Sequence, residues 1–264
     1  MQTLSVVLAV YNEEKNLARC LDSVRNFADE IIIVDGSSTD KTVEIAKKYT
    51  AKILVTSNPP IFHINKQKAI DLATKDWILQ LDADEVVSKE LKEEIQKKVL
   101  TEKNNEYSGY WTPRKNWFLG RFLLKGGQYP DYTLRLYKRG KGHLPQKDVH
   151  EQAEIEGEVG YLVSALLHYP YENFAVYKMK WDRYNRIFAS QMRERQRNMN
   201  LLGKVFFAIN NLIFQPIFWF LKAYLRHKGF MDGWAGFVFA FYSALRFPAA
   251  YLISLQLHEK IASK

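Results

Sequence analysis

Three polar clusters stand directly behind apolar runs in the N-terminal part of the sequence. Tyr11-Asn12-Glu13-Glu14 follows Leu4–Val10, Asp35-Gly36-Ser37-Ser38-Thr39-Asp40 follows 31–34, and Asp82-Ala83-Asp84-Glu85 follows Trp77–Leu81. Carboxylates gathered at neighbouring strand ends repel one another unless a cation or hydrogen-bond donors sit among them. A divalent metal carrying a diphosphate meets that need, and hard oxygen ligands suit Mg2+ or Mn2+. In Asp82-Ala83-Asp84 the two carboxylates bracket one residue, so an extended backbone points both to the same side. One can then reach a metal while the other reaches a sugar-nucleotide. As a bare tripeptide the pattern is common on surfaces. Its position straight after Trp77-Ile78-Leu79-Gln80-Leu81 gives it weight.

These clusters need a scaffold that brings strand ends together. Leu4–Val10, 31–34, 53–55 and Trp77–Leu81 are short apolar runs, as buried parallel strands are. Between them 16–24, 42–49 and 66–74 have helical spacing; Ser38, Thr39 or Asp40 can cap the second helix, and Ser88 a later one reaching about residue 99. This alternation predicts an open parallel sheet with helices on both faces, which binds ligands at the carboxyl ends of its strands. Residues 101–170 turn to aromatics, glycines and short β-like runs and read as a mixed, partly antiparallel half. From about Ala175 the chain reads as helical.

The 264 residues suffice for one large domain with an appendage, and 47% hydrophobic against 25% charged residues marks a folded protein. The net charge of +9 points to an anionic partner. No helix-turn-helix, zinc-finger or RNP-like pattern accompanies it, which ranks nucleic acid last. The single cysteine, Cys20, shares a helical stripe with Leu17, Leu21 and Val24, so a buried core thiol is expected. The N-terminus reads as a first strand and not as a signal peptide.

The stretches Leu4-Ser5-Val6-Val7-Leu8-Ala9-Val10-Tyr11-Asn12-Glu13-Glu14, Ile33-Val34-Asp35-Gly36-Ser37-Ser38-Thr39-Asp40 and Leu81-Asp82-Ala83-Asp84-Glu85 resemble the family 2 glycosyltransferases of GT-A fold in motif and spacing. Tyr129-Pro130-Asp131, Leu134-Arg135-Leu136-Tyr137, Val149-His150-Glu151 and Lys228-Gly229-Phe230-Met231-Asp232-Gly233 resemble the branch typified by lipopolysaccharide-core glucosyltransferases. The resemblance implies an α/β fold: a GT-A (nucleotide-diphospho-sugar transferase, Rossmann-like) domain over 1–174, with a nucleotide-binding half, 1–100, and an acceptor and metal half, 101–174. It implies that Asp35 reads the base, that Asp82 contacts ribose or metal, and that Asp84 ligates Mn2+ or Mg2+. Ala9, Tyr11, Glu13, Lys66, Ala83 and Arg135 would line the donor site, and Glu151 would be the catalytic base. His150 and His168 are further candidate ligands. An inverting displacement fits this set: a carboxylate takes the acceptor proton, and a metal neutralises the leaving diphosphate.

Plainer readings stand beside these. Asp35 can cap a helix, Glu13 and Glu14 can be first-turn acids, Lys66 can be solvated, the histidines can be core residues, and Arg135 can pair with a carboxylate. Two rival functions also remain: a transferase acting on polyprenyl phosphate, and a non-catalytic sugar-nucleotide-binding membrane scaffold.

Residues 175–264 are expected to form a basic, amphipathic helical region that associates with membrane. Lys178, Lys180, Arg183, Arg186, Arg193, Arg195, Arg197 and Lys204 outnumber Asp182 and Glu194, and 205–221 carries no charge. That run, like 233–245 and 247–257, is short for a spanning helix of about 20 residues. Asn211, Gln215, Lys222 and Arg226 fall on one helical face and Ile213, Ile217, Phe220 and Tyr224 on another, as in a segment lying in the interface. The expected partners are a nucleotide-sugar donor, a membrane-bound glycolipid or lipid-linked acceptor and an anionic membrane surface. The expected place is the cytoplasmic face of the cell membrane, peripheral or monotopic.

Overall fold

The structure, a computed structural model, describes residues 1–49, 52–102, 105–145, 152–171 and 173–262. The chain divides into two compact units: Met1–Lys115 with Pro130–Tyr169, and Asn116–Tyr129 with Pro170–Lys264. A single boundary at 174 therefore leaves out the segment 116–129, which is grouped with the helices.

In the first unit β1 (Leu4–Val10), α1 (Leu17–Val24), β2 (Glu30–Asp35), α2 (Thr42–Ala46), β3 (Lys52–Val55), α3 (His63–Asp71) and β4 (Trp77–Leu81) alternate. The strands pair in parallel in the order β3-β2-β1-β4. Successive side chains of β1 go to opposite faces. Leu4, Val6, Leu8 and Val10 pack with Leu17, Cys20, Leu21 and Val24 of α1. Val7 joins Ile32, Val34 and Ile78 against Ala69 and Ile70 of α3. Both faces are covered, which is why the strands read as unbroken apolar runs.

Beyond β4 come β5 (Glu85–Val87), α4 (Lys89–Glu94), which continues as a wider helical turn over Ile95–Leu100, then β6 (Gly109–Phe118). The Ser88 hydroxyl caps α4 by accepting from the Leu91 N–H at 3.1 Å. After β7 (Arg121–Leu123), β8 (Asp131–Lys138) runs antiparallel to both β4 and β6. The later strands are β9 (Gly142–His143), β10 (Glu154–Ile155), β11 (Val159–Tyr161) and β12 (Leu166–His168). The sheet thus continues β4-β8-β6-β12-β5, with β12 antiparallel to β5. This is the mixed α/β sheet expected for the GT-A class.

In the second unit the end of β6 pairs with β7 through the tight turn Leu119-Gly120, both at positive φ. Among the described residues the α-helices that follow are α5 (Phe174–Gln196), α6 (Leu201–Ile209), α7 (Gln215–Leu221) and α8 (Gly233–Ala262). Asn173 and Asn200 cap α5 and α6, accepting from Val176 and Gly203 at 3.0 and 2.8 Å. Phe118, Leu123, Tyr177, Ala235 and Val238 form one core; Ala189, Met192, Phe247, Ala250 and Tyr251 form another. Buried Asp232 accepts from the Leu124 and Lys125 amides at 3.0 and 2.7 Å, tying the segment after β7 to the start of α8. A Cβ on Gly236 would lie 2.0 Å from the Gly229 carbonyl, so that crossing requires glycine.

Helical turns over Asn210–Phe214 and Lys222–Arg226 join α6 and α7 into one rod, Leu201–Arg226, of 26 residues. Gly229–Gln256 makes a second of 28 residues, and an 18-residue stretch of each has mean hydropathy 1.4. Counting only uncharged residues underestimates both: by length and composition each is able to cross a membrane. The expected division of faces changes too. Asn211 turns inward, its amide donating to the Phe207 carbonyl at 2.8 Å, while Ile213 and Ile217 are exposed. Phe220 and Tyr224 pack against Phe237.

Candidate active site

The loops after β1 and β2 are stitched together. Asn12 N–H donates to the Ser38 hydroxyl, and Thr39 N–H to the Asn12 side-chain oxygen, both at 2.8 Å. Glu13 N–H donates to the Thr42 hydroxyl at 2.7 Å, and Lys41 N–H to the Glu14 carboxylate at 3.1 Å. Asn12 and Ser37 both take positive φ to make these bends. Asp35 is buried and closes its own loop, accepting from Ser38 N–H at 2.9 Å and the Ser38 hydroxyl at 2.5 Å. Asp40, not Asp35, accepts from Thr42 N–H at the start of α2, at 2.9 Å. Glu13 accepts from the Asn16 amide at 3.0 Å before α1. Tyr11 is exposed and Ala9 half-buried beside these bends.

After β4 the backbone turns: Glu85 N–H donates to the Asp82 carbonyl, and Asp82 N–H to the Glu85 carboxylate, both at 2.9 Å. Residues 82–84 are thus not extended, and the two aspartates meet different partners. Asp82 pairs with Lys66 of α3 and, at 2.5 Å, with Arg135 of β8. Asp84 faces His168 of β12, with 3.4 Å from its carboxylate to Nε2. Ala83 between them is buried.

Beneath this turn lies an ion-pair array. Glu85 is fully buried and accepts from Arg135 at 3.0 Å and Arg114 at 3.3 Å. Arg135 also donates to Gln80 at 2.8 Å, and Arg114 to Asp131 at 2.8 and 3.0 Å. Burial opposes the Asp82 charge, yet Arg135 and Lys66 outweigh it and hold the carboxyl well below the usual carboxylate range. Burial pulls the Lys66 ammonium down against the opposing pull of Asp82. Burial also disfavours the Arg135 charge, but Asp82 and Glu85 more than offset it and raise its pKa. Cys20 packs behind, its thiol 3.6 Å from the Asp82 carbonyl. Burial, reinforced by Glu85, Asp84 and Asp82, pushes that thiol well up, which makes it a poor nucleophile.

The fold therefore gathers Lys66, Asp82, Asp84, Arg135 and His168 in one place, while Tyr11 and Glu13 lie in the loop after β1 and Asp35 at the end of β2, the two loops being cross-linked. Arg135 is committed to Asp82, Glu85 and Gln80, the pairing alternative left open by the sequence. Sequence reasoning passed over Arg114 and the anchoring role of Glu85. No local sequence signal marks either, because it is the β6–β8 register that sets Arg114 opposite Asp131. His150 and Glu151 lie outside the described residues.

The donor set accommodates a divalent cation in part. Asp84 and His168 offer one hard oxygen and one imidazole nitrogen, and their side chains are 25% and 16% exposed, open to a ligand. Among the described residues no third His, Cys, Asp or Glu completes a metal cluster, so further positions would fall to diphosphate oxygens and water.

Comparison with known proteins gives the family. The model of the family described as "Glycosyl transferase family 2" matches residues 5–166, more than half the chain. An uncharacterized glycosyltransferase of Rickettsia typhi is 28% identical over 100% of this chain and 91% of its own. The lipopolysaccharide core biosynthesis glycosyltransferase LpsC of Rhizobium meliloti is 29% identical over 92% and 91%. Among solved structures, glucosyl-3-phosphoglycerate synthase from Mycobacterium tuberculosis, in complex with Mg2+ and UDP, aligns at 21% identity and a TM-score of 0.35. That alignment covers 44% of this chain and 43% of that one, so the chain spans less than half of that relative.

Proposed function

Because the chain belongs to glycosyl transferase family 2, we propose that it is a metal-assisted, inverting enzyme. It takes a sugar from a nucleotide-diphosphate donor, UDP-linked in our reading, and joins it to a hydroxyl of a membrane-associated glycan or glycolipid. The observation that carries this reading is the Asp84–His168 pair beside an Asp82 held by Lys66 and Arg135.

Asp84 and His168 would hold Mn2+ or Mg2+. When bound, the ion supplies charge neutralisation for the departing diphosphate. Asp82 stays ionised between Lys66 and Arg135 and is fixed in orientation, ready to accept from a ribose hydroxyl. Asp35 and the bends of Tyr11 and Glu13 would border the base. Glu151 would take the acceptor proton in a single displacement, and the buried Cys20 offers no covalent route. Similarity to LpsC, a lipopolysaccharide core biosynthesis glycosyltransferase, supports a lipopolysaccharide-core type of acceptor.

The second unit would hold the enzyme on the membrane, peripherally and at the cytoplasmic face. Phe206, Phe214 and Phe218 are 65%, 64% and 57% exposed on a largely exposed rod, with Lys204, Lys222 and Arg226 beside them.

Thermal unfolding with UDP-, GDP- and dTDP-sugars in the presence of Mn2+ tests the donor class, since a bound ligand stabilises the folded state. Stabilisation by the UDP compounds is expected. A shift with none of the three would sink the reading.

A further inference from the structure

The second unit contains a cavity of about 370 Å³. Lys222 enters it from the rod Leu201–Arg226, His227 from the turn after it, and Arg246 from α8. Gln128, Ser243 and Trp219 supply further donors and an aromatic wall. The floor is pinned: Gly126 N–H donates to the His227 carbonyl at 2.9 Å. The two long cations rest on rings, Lys222 over Trp219 at 4.5 Å and Arg246 over Phe188 at 4.8 Å, and Trp219 stacks on Phe247.

Among the described residues no carboxylate pairs with Lys222, His227 or Arg246. Between 201 and 256 the sequence has five lysines and arginines (Lys204, Lys222, Arg226, Lys228, Arg246) and one carboxylate, Asp232. Asp232 is buried and engaged by Arg121 at 3.6 Å and by two backbone amides. Aligned cations and donors around an open concavity, with no acid to balance them, call for an oxygen-rich anion.

We infer that this cavity binds the phosphate head group of an anionic membrane lipid, with Lys222, Arg246 and His227 as its donors. Membrane lipid is favoured over a soluble phosphate by what adjoins the cavity. Phe218 lies one helical turn before Lys222 on the same rod, and Phe214, Ile217, Phe218 and Leu221 are all exposed. Acyl chains therefore have an apolar landing beside the cationic mouth. The inference rests on the membrane-surface part of the proposed function and is independent of sugar transfer.

The test uses the full chain and phosphatidylcholine vesicles containing either phosphatidic acid or phosphatidylglycerol at matched surface charge. A tenfold or so preference for phosphatidic acid is expected, because its phosphomonoester can accept several charge-assisted hydrogen bonds at once. Lys222→Ala with Arg246→Ala should abolish that preference. Ser243→Trp, which fills the cavity without changing charge, should abolish it too. Lys204→Ala with Arg226→Ala removes the same charge outside the cavity and should weaken binding to both vesicle types while keeping the preference. Equal loss of preference in the two double variants would show diffuse attraction only and overturn the site. Short-chain phosphatidic acid titrated by calorimetry separates the two readings: if no vesicle is bound but this lipid is, the membrane reading fails and the cavity stands. Inorganic phosphate binding as tightly as the lipid would overturn the lipid assignment.

Discussion

His168 Nε2 lies 3.4 Å from the Asp84 carboxylate. Strand β12 runs antiparallel to β5 and sets His168 opposite Glu85, the residue after Asp84. Two residues more than eighty positions apart thus become neighbours through strand pairing, with the Tyr169 N–H bonded to the Asp84 carbonyl at 2.9 Å.

Asp84→Asn is expected to abolish metal-dependent UDP binding, and His168→Ala to weaken it at least tenfold, the scale of one lost interaction with a charged group. Calorimetric titration of UDP with and without Mn2+ measures both. An unchanged metal requirement in Asp84→Asn would remove Asp84 from the metal site.

Arg135→Ala should destabilise the first unit by about 3–5 kcal/mol, because it leaves the Asp82 and Glu85 carboxylates without their shared buried partner. Urea unfolding gives the magnitude. A loss below about 1 kcal/mol would mean that water or a neighbouring base replaces the guanidinium at no cost.

Glu151→Gln should retain donor affinity and lower kcat by about 10²–10⁴, the usual range for a general base. Asp131 is the poorer candidate, since its carboxylate is already engaged by Arg114 at 2.8 Å. Asp131→Asn with a larger loss of kcat than Glu151→Gln would reverse the assignment. Normal transfer in both variants would favour an acceptor that needs no deprotonation, such as a polyprenyl phosphate.

Glu30 gives a pH prediction. Burial works against its charge, but bonds from Lys52, Ser5 and Thr74 outweigh burial and hold its carboxyl down at about 2, against an ordinary 4.5. A depressed folded-state pKa adds stability that is complete above the unfolded value and lost as pH falls through the folded one. Stability should therefore decline between about pH 4.5 and 2. Glu30→Gln should flatten that decline while sparing UDP affinity at neutral pH. Acid titrations that superimpose for the two proteins would remove Glu30 as the cause.

Membrane attachment should have two separable parts. Flotation with anionic vesicles is expected to weaken as salt screens the basic residues, yet persist through the aromatic surface. Replacing Phe206, Phe214 and Phe218 with serine should remove the salt-resistant part, each phenylalanine contributing about 1.5–3 kcal/mol when fully buried. Protease added to the far side of sealed vesicles should cut nothing. Cleavage there would make Leu201–Arg226 or Gly229–Gln256 a true crossing.

The N-terminal elements were legible because their signals are local. Burial on two faces makes β1 and β4 continuous apolar runs, and Leu17, Cys20, Leu21 and Val24 repeat at helical spacing. The Arg114–Glu85–Arg135 array was not legible, since it depends on the β6–β8 register and on the irregularity between Tyr110 and Trp111. The assumption that Asp82 and Asp84 point together failed because the chain turns there, and no sequence alternation reports that turn. In the helical part, charge and polarity suggested an outward Asn211. Its side-chain bond to a carbonyl one helical turn earlier lets the amide face inward instead.

The cross-linked bends after β1 and β2 carry a thermodynamic consequence. A loop that orders around its ligand charges that ordering entropy against affinity at the moment of binding. Here Asn12, Ser38, Thr39 and Thr42 have already fixed the two bends during folding, at the cost of left-handed backbone at Asn12 and Ser37. On the proposed function, a donor arriving at this border would meet a preset outline, and a wrongly shaped base would be refused by that outline without waiting for the loops to close.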